Sequence, residues 1–233
     1  MIVILCSNLW LATPSVPSVT HTAQWRDAAI LGGAAAAYFS VNSRQDTFFD
    51  WSWSDTTTDL SFNEDTVPTR TFYVWSAALA LAAGVESGSR EAVAVLHSFS
   101  LTGAATELLK YIFARPRPDY QERMQIASRT NNKRLIRDAK LSLPSGHSSS
   151  AYALALHTGL WLHRAACRRG WGQAAVVSGY ALPLAVATGI GVTRVSDHRH
   201  NVSDVMAGAV VGLGISYGVN HWQFGAGARC TQP

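Results

Sequence analysis

The chain has 233 residues, enough for one domain with a sizeable core, and a formal net charge of +4. It is 48% hydrophobic but only 15% charged, against about a quarter charged in ordinary soluble domains, which leaves a membrane protein or an Ala-rich helical soluble one, with the weight on the membrane. Three scattered cysteines, Cys6, Cys167 and Cys230, imply neither a disulfide framework nor a zinc motif.

In chain order, residues 1–24 are apolar at Met1 to Cys6 and at Leu9 to Ala12, and Pro14 and Pro17 follow. No positive charge precedes the apolar run, so the segment reads as an incomplete signal or a short anchor. A single helical domain is expected over 25–225, with a Gly-rich frayed tail over 226–233. Ala28 to Val41 is an uncharged, helix-length run; Asn42 to Thr71 is polar, with Trp51 and Trp53, and reads as an exposed connection.

Ala92 to Ala114 is a long apolar stretch closed by Pro116 and Pro118, which lack amide hydrogens and cannot continue a helix. Lys110 therefore falls in its last turn and Arg117 in its exit. Both are suited to face one pocket past the helix end, and spacing alone does not separate Arg117 from Arg115. From 110 to 140 there are nine Lys or Arg against three Asp or Glu, a net +6, while the rest of the chain is acidic by two. This segment reads as a polar, irregular lid that attracts anionic groups. No aromatic interleaving or nucleic-acid motif accompanies it, so nucleic acid is not an expected partner.

Pro144-Ser145-Gly146-His147 reads as a turn feeding a Ser-rich helix start. A helix N-terminus offers free amide hydrogens and a partial positive charge, a natural anion site, and His147 sits beside it, where an anion favours the imidazolium that can protonate a leaving oxygen. Ala174 to Thr193 is a run of 20 uncharged residues, long enough to span a bilayer. In Thr193-Arg194-Val-Ser-Asp-His-Arg-His200-Asn-Val-Ser-Asp204, a helix beginning near His200 stacks His200 and Asp204 on one face. The carboxylate then orients an imidazole whose other nitrogen is free to attack. A rival reading, a metal site from Asp197, His198, His200 and Asp204, is disfavoured because fixed cations nearby repel a metal. Together the clusters supply cations, neutral donors, a proton donor and a nucleophile, which is what phosphoryl transfer needs.

These strings resemble the signature of the type 2 phosphatidic acid phosphatase and vanadium haloperoxidase superfamily: Lys, six residues, Arg-Pro; then Pro-Ser-Gly-His; then Ser-Arg, five residues, His, three residues, Asp. Lys110 to Arg117-Pro118, Pro144 to His147, and Arg194, His200 and Asp204 fit it, with Thr193 in place of the usual Ser. The resemblance selects Arg117 over Arg115. It implies an all-α fold, a bundle of five or six core helices with the active site at one end. It implies that His200 attacks phosphorus, Asp204 orients it, and His147 protonates the leaving oxygen. Lys110, Arg117, Ser145, Gly146 and Arg194 bind phosphate oxygens, with no metal and no cofactor. The expected partner is a phosphorylated lipid or a small phosphoester, at a cell membrane with the site facing outside or toward the periplasm. By the positive-inside rule the basic segment favours the cytoplasmic side; its charge is assigned instead to substrate attraction. The alternatives are a soluble periplasmic acid phosphatase, a vanadate-dependent haloperoxidase, and a non-catalytic phospholipid-binding protein.

Overall fold

A computed structural model describes residues 25–43 and 66–225. The expected signal or anchor segment, the tail, and most of the polar stretch with Trp51 and Trp53 lie outside the described residues. The described residues form eight helices and no strand: α1 (Trp25–Ser43), α2 (Arg70–Ser87), α3 (Ser89–Phe113), α4 (Tyr120–Thr130), α5 (Lys133–Ala139), α6 (Gly146–Arg169), α7 (Gln173–Ser196) and α8 (Val202–Phe224). Six are long and alternate in direction, so α1, α3 and α7 end where α2, α6 and α8 begin. The all-α expectation holds, with two short helices added.

The long helices pack through small residues. Gly208 and Gly212 of α8 lie directly on α6: a Cβ on Gly208 would come within 2.6 Å of the Ser145 carbonyl oxygen, and one on Gly212 would strike the Ser149 carbonyl. That approach sets the start of α8 against the start of α6, where the Ser145 amide donates to the Asp204 carbonyl oxygen at 2.9 Å. Phe72, Leu79, Val95, Leu154 and Ile190 fill the space between α2, α3, α6 and α7. Complete burial of side chains this size contributes about 1.5–3 kcal/mol each.

The outer surface is apolar. Helices α3, α7 and α8 are long and apolar enough to cross a membrane, and only 17% of the apolar window of α7 is buried inside the protein. Val186, Val192, Val210 and Tyr217 all point outward, each more than half exposed. A surface of this kind is stable against lipid, not water, and the chain is a membrane protein.

Two expectations are corrected. The 110–140 segment is not irregular: it folds into α4 and α5, a helical pair at the end of the bundle where α3 gives way to α6. Its helical period is carried by buried Arg123 and Ala127 instead of large apolar residues, which is why the sequence pattern reads as a loop. Cys167, one of three cysteines whose number and spacing imply no disulfide framework, is disulfide-bonded.

At the opposite end of the bundle lies a closed polar cluster. Arg164 forks onto Glu91 with bonds of 2.6 and 2.7 Å. Asn220 donates to His157 Nδ1 at 3.0 Å, and Gln223 to His97 Nδ1 at 3.2 Å. These side chains tie α3, α6 and α8 together.

Candidate active site

Four helix ends converge at the other pole: the last turn of α3, the first of α6, the last of α7, and the approach to α8. They open into a cavity of about 760 Å³ lined by Lys110, Arg117, Gly146, His147, Arg194 and His200, among others. Residues far apart in sequence therefore share one chamber.

The chain is turned into that chamber by local rules. Helix α3 stops at Ala114, in the left-handed region at φ 44°, with its amide returning to the Lys110 carbonyl; Pro116 and Pro118 prevent continuation. Lys110 reaches over the start of α6, so that a Cβ on Gly146 would meet its Nζ at 3.1 Å. Glycine thus leaves the backbone there open to an approaching oxygen. Lys110 also pairs with Glu107 at 2.7 Å. Ser145 is the N-cap of α6 and is fully buried; its hydroxyl accepts from the Ser148 amide at 3.4 Å and from the Ser148 hydroxyl at 3.2 Å. The first-turn amides of α6 point into the chamber end of the helix.

His147 follows. Its Nε2 donates to the Val67 carbonyl oxygen at 2.9 Å, and Phe72 packs edge-on against the ring at 5.2 Å. Arg194 arrives from α7 almost fully buried, 3.8 Å from Asp197. Asp197 is taken up by Thr66, whose amide and hydroxyl donate to it at 3.0 and 2.7 Å. The rival metal set is therefore not assembled: among the described residues no three His, Cys, Asp or Glu side chains gather as a metal site.

His200 is buried just ahead of α8. Arg117 Nη1 lies 3.1 Å from its Nε2. A guanidinium can only donate, so Nε2 is the unprotonated nitrogen and Nδ1 carries the proton. Burial first, then the charges of Arg117, Arg194 and Lys110, push the His200 pKa well below the usual imidazole value of 6.5. The ring is neutral and its Nε2 lone pair faces the cations.

Behind the ring, the orientation differs from the expected direct pair. Helix α8 starts after His200, with Asn201 as N-cap and Asp204 closing a capping box: the Asn201 amide donates to Asp204 Oδ2 at 2.8 Å. Asp204 Oδ2 is 3.8 Å from His200 Nδ1, beyond a hydrogen bond. Ser142 fills the interval, donating to Asp204 Oδ2 at 2.6 Å with its oxygen 3.4 Å from Nδ1. Arg115 holds the other carboxylate oxygen at 2.8 Å and Ser203 at 2.7 Å. The two arginines near the end of α3 are thus divided, Arg115 to the buried carboxylate and Arg117 to the imidazole.

All eight residues singled out in the sequence belong to this end of the bundle. Sequence reasoning missed Ser142, the role of Arg115, and Asp138. Asp138 accepts from Arg117 at 3.0 Å and also from Arg123. Burial raises its pKa, but Arg117 and Arg123 outweigh this and hold the carboxyl below the ordinary range. Only the position of Ser142 two residues ahead of the Pro-Ser-Gly-His turn could have drawn notice.

Residues 91–228 match the PAP2 superfamily model. Lipid phosphate phosphatase 2 of Arabidopsis thaliana is 32% identical over 52% of this chain and 47% of its own length. A probable diacylglycerol pyrophosphate phosphatase 1 of Schizosaccharomyces pombe is 29% identical over 53% of this chain and 50% of its own. Phospholipid phosphatase 2 of Mus musculus is 28% identical over 50% and 47%. The chain spans about half the length of these relatives. No solved structure matches.

Proposed function

The chain belongs to the PAP2 superfamily, and on that premise we propose that it is a membrane phosphatase that removes a terminal phosphate from a lipid through a phosphohistidine at His200. The observation that carries this reading is the neutral, buried His200 with its Nε2 lone pair turned toward Arg117, in a chamber shared with Lys110, Arg194 and His147. A lipid substrate follows from the apolar outer surface and from the names of the relatives.

The phosphate enters beside Lys110, Arg117, Arg194, Ser145 and the Gly146 amide, which neutralise and orient its oxygens. It takes over the hydrogen bond that Arg117 makes to Nε2, and Nε2 then attacks phosphorus. Positive charge developing on the ring is spread through Nδ1 to Ser142 and Asp204. The bond from phosphorus to the lipid oxygen breaks, and His147 gives that oxygen a proton. In the second half, His147 takes a proton from water as it attacks the phosphohistidine, releasing phosphate and restoring His200. No metal takes part, and the site faces the outside or the periplasm.

A substrate panel tests this. Phosphate release from phosphatidate in mixed micelles should exceed release from a soluble aryl phosphate and be unchanged by chelator. Preference for the aryl phosphate would favour a general acid phosphatase, loss with chelator a metal enzyme, and bromination after added vanadate a haloperoxidase.

A further inference from the structure

The chamber has more cationic lining than one phosphate requires. Lys110 is paired with Glu107, Arg117 and Arg123 with Asp138, and Arg199 lies 3.9 Å from Asp119. Arg137 donates to the Val41 carbonyl oxygen. Arg134, on the same short helix α5, also lines the chamber and has neither a hydrogen bond nor an ion pair among the described residues.

Arg134 shares the chamber with His147 and His200. His147, which protonates the leaving oxygen in the reading above, packs against Phe72. The next residue, Tyr73, packs edge-on against Phe99 at 5.6 Å and shares a hydrogen bond with Tyr38, whose hydroxyl lies in the field of Arg134. Beside His147 the chamber thus carries an aromatic wall from α1, α2 and α3, and Arg134 of α5 lines the same chamber near the Tyr38 end of that wall. Arg134 and His147 line the same chamber, so a leaving group protonated at His147 shares that chamber with the guanidinium.

Resting on the proposed phosphatase reading, we propose that Arg134 forms a second anion subsite, which binds the phosphate retained by the leaving group of a lipid diphosphate. In that reaction His200 takes the terminal phosphoryl group and the bridging oxygen takes the proton of His147. The lipid monophosphate leaves with its charge held by Arg134, and water later releases inorganic phosphate from His200. A lipid monophosphate has no second charge to offer there. Arg134 is therefore a determinant of diphosphate over monophosphate.

The test uses the full chain in neutral detergent micelles with farnesyl diphosphate and farnesyl monophosphate, which share one tail. Arg134→Gln should lower kcat/KM for the diphosphate about tenfold, as expected for a lost charge-assisted contact, mainly through KM. It should change the monophosphate less than twofold, and Arg134→Lys should recover part of the loss. Added salt should narrow the gap between wild type and variant. Equal losses on both substrates, or no loss on either, would overturn the assignment. So would a loss on both seen only in micelles containing phosphatidylglycerol, because Arg134 would then be reading the lipid surface. If the wild type hydrolyses neither substrate, the phosphatase reading fails; titration with an alkyl methylenediphosphonate and the matching alkylphosphonate then decides Arg134 separately, tighter diphosphonate binding lost in Arg134→Gln supporting it and equal binding sinking it.

Discussion

At the far pole of the bundle, Glu91 is met by both arms of Arg164, and His157 and His97 each accept from a fixed amide side chain. At the near pole, His200 is buried as deeply, but cations crowd it and the cavity beside it is open. Both poles bury polar groups between the same helices. The far cluster sets its buried carboxylate against a guanidinium, although His157 Nε2 and Asn220 Oδ1 keep no hydrogen-bond partner. The near one keeps an excess of positive charge that only an incoming anion can balance. Burial of polar groups therefore does not by itself mark a site in this molecule; uncompensated charge beside open volume does.

Substitutions at the two poles should separate along that line. Arg164→Ala strands Glu91 in the interior and should cost about 3–5 kcal/mol of stability, read as a lowered unfolding temperature in detergent, with kcat of the remaining folded enzyme unchanged. Lys110→Ala or Arg194→Gln should do the reverse, lowering kcat by roughly 10²–10³ with little change in unfolding temperature. A far-pole variant that loses kcat without losing stability would erase the distinction.

Within the near pole the effects grade downward. Ser142→Ala removes the bridge between His200 and Asp204 and should lower kcat about tenfold, the scale of one buried hydrogen bond, with KM unchanged and Ser142→Thr partly restoring activity. The smallest effect is in pH dependence. In the proposed mechanism the imidazole must be neutral to attack, and burial and neighbouring cations hold its pKa well below 6.5. The acid-side loss of kcat/KM from this group, which reports the free enzyme, should thus lie well below that pH. Arg117→Gln removes a charge that disfavours the imidazolium, so it should move the acid limb upward; a downward shift would contradict the proton assignment.

Much of this near pole was legible because its chemistry is written in short strings. Pro116 and Pro118 fix where Lys110 and Arg117 leave their helix, and the Ser145-Gly146-His147 turn fixes a helix start. The His200–Asp204 spacing was legible too, though its meaning shifted: Asp204 caps α8, and His200 stands outside the helix. Ser142 and Arg115 were not legible, since each acts on Asp204 across a gap of 62 or 89 residues that only packing closes. The far cluster was hidden for a related reason. His97, His157 and Asn220 are single polar residues inside apolar runs, and hydropathy averages them away. Helices α4 and α5 escaped because their buried positions are Arg123 and Ala127 in α4 and Ala139 in α5, not the large apolar residues that reveal a helical period.

The central claim is that His200 becomes covalently phosphorylated. Rapid alkaline quenching of the enzyme with phosphatidate carrying a radiolabelled phosphate, followed by peptide mapping, tests it directly. The account predicts an acid-labile, base-stable label on His200, formed and discharged at rates compatible with turnover and absent from His200→Ala. Label on another residue, or sustained turnover by His200→Ala, would contradict it.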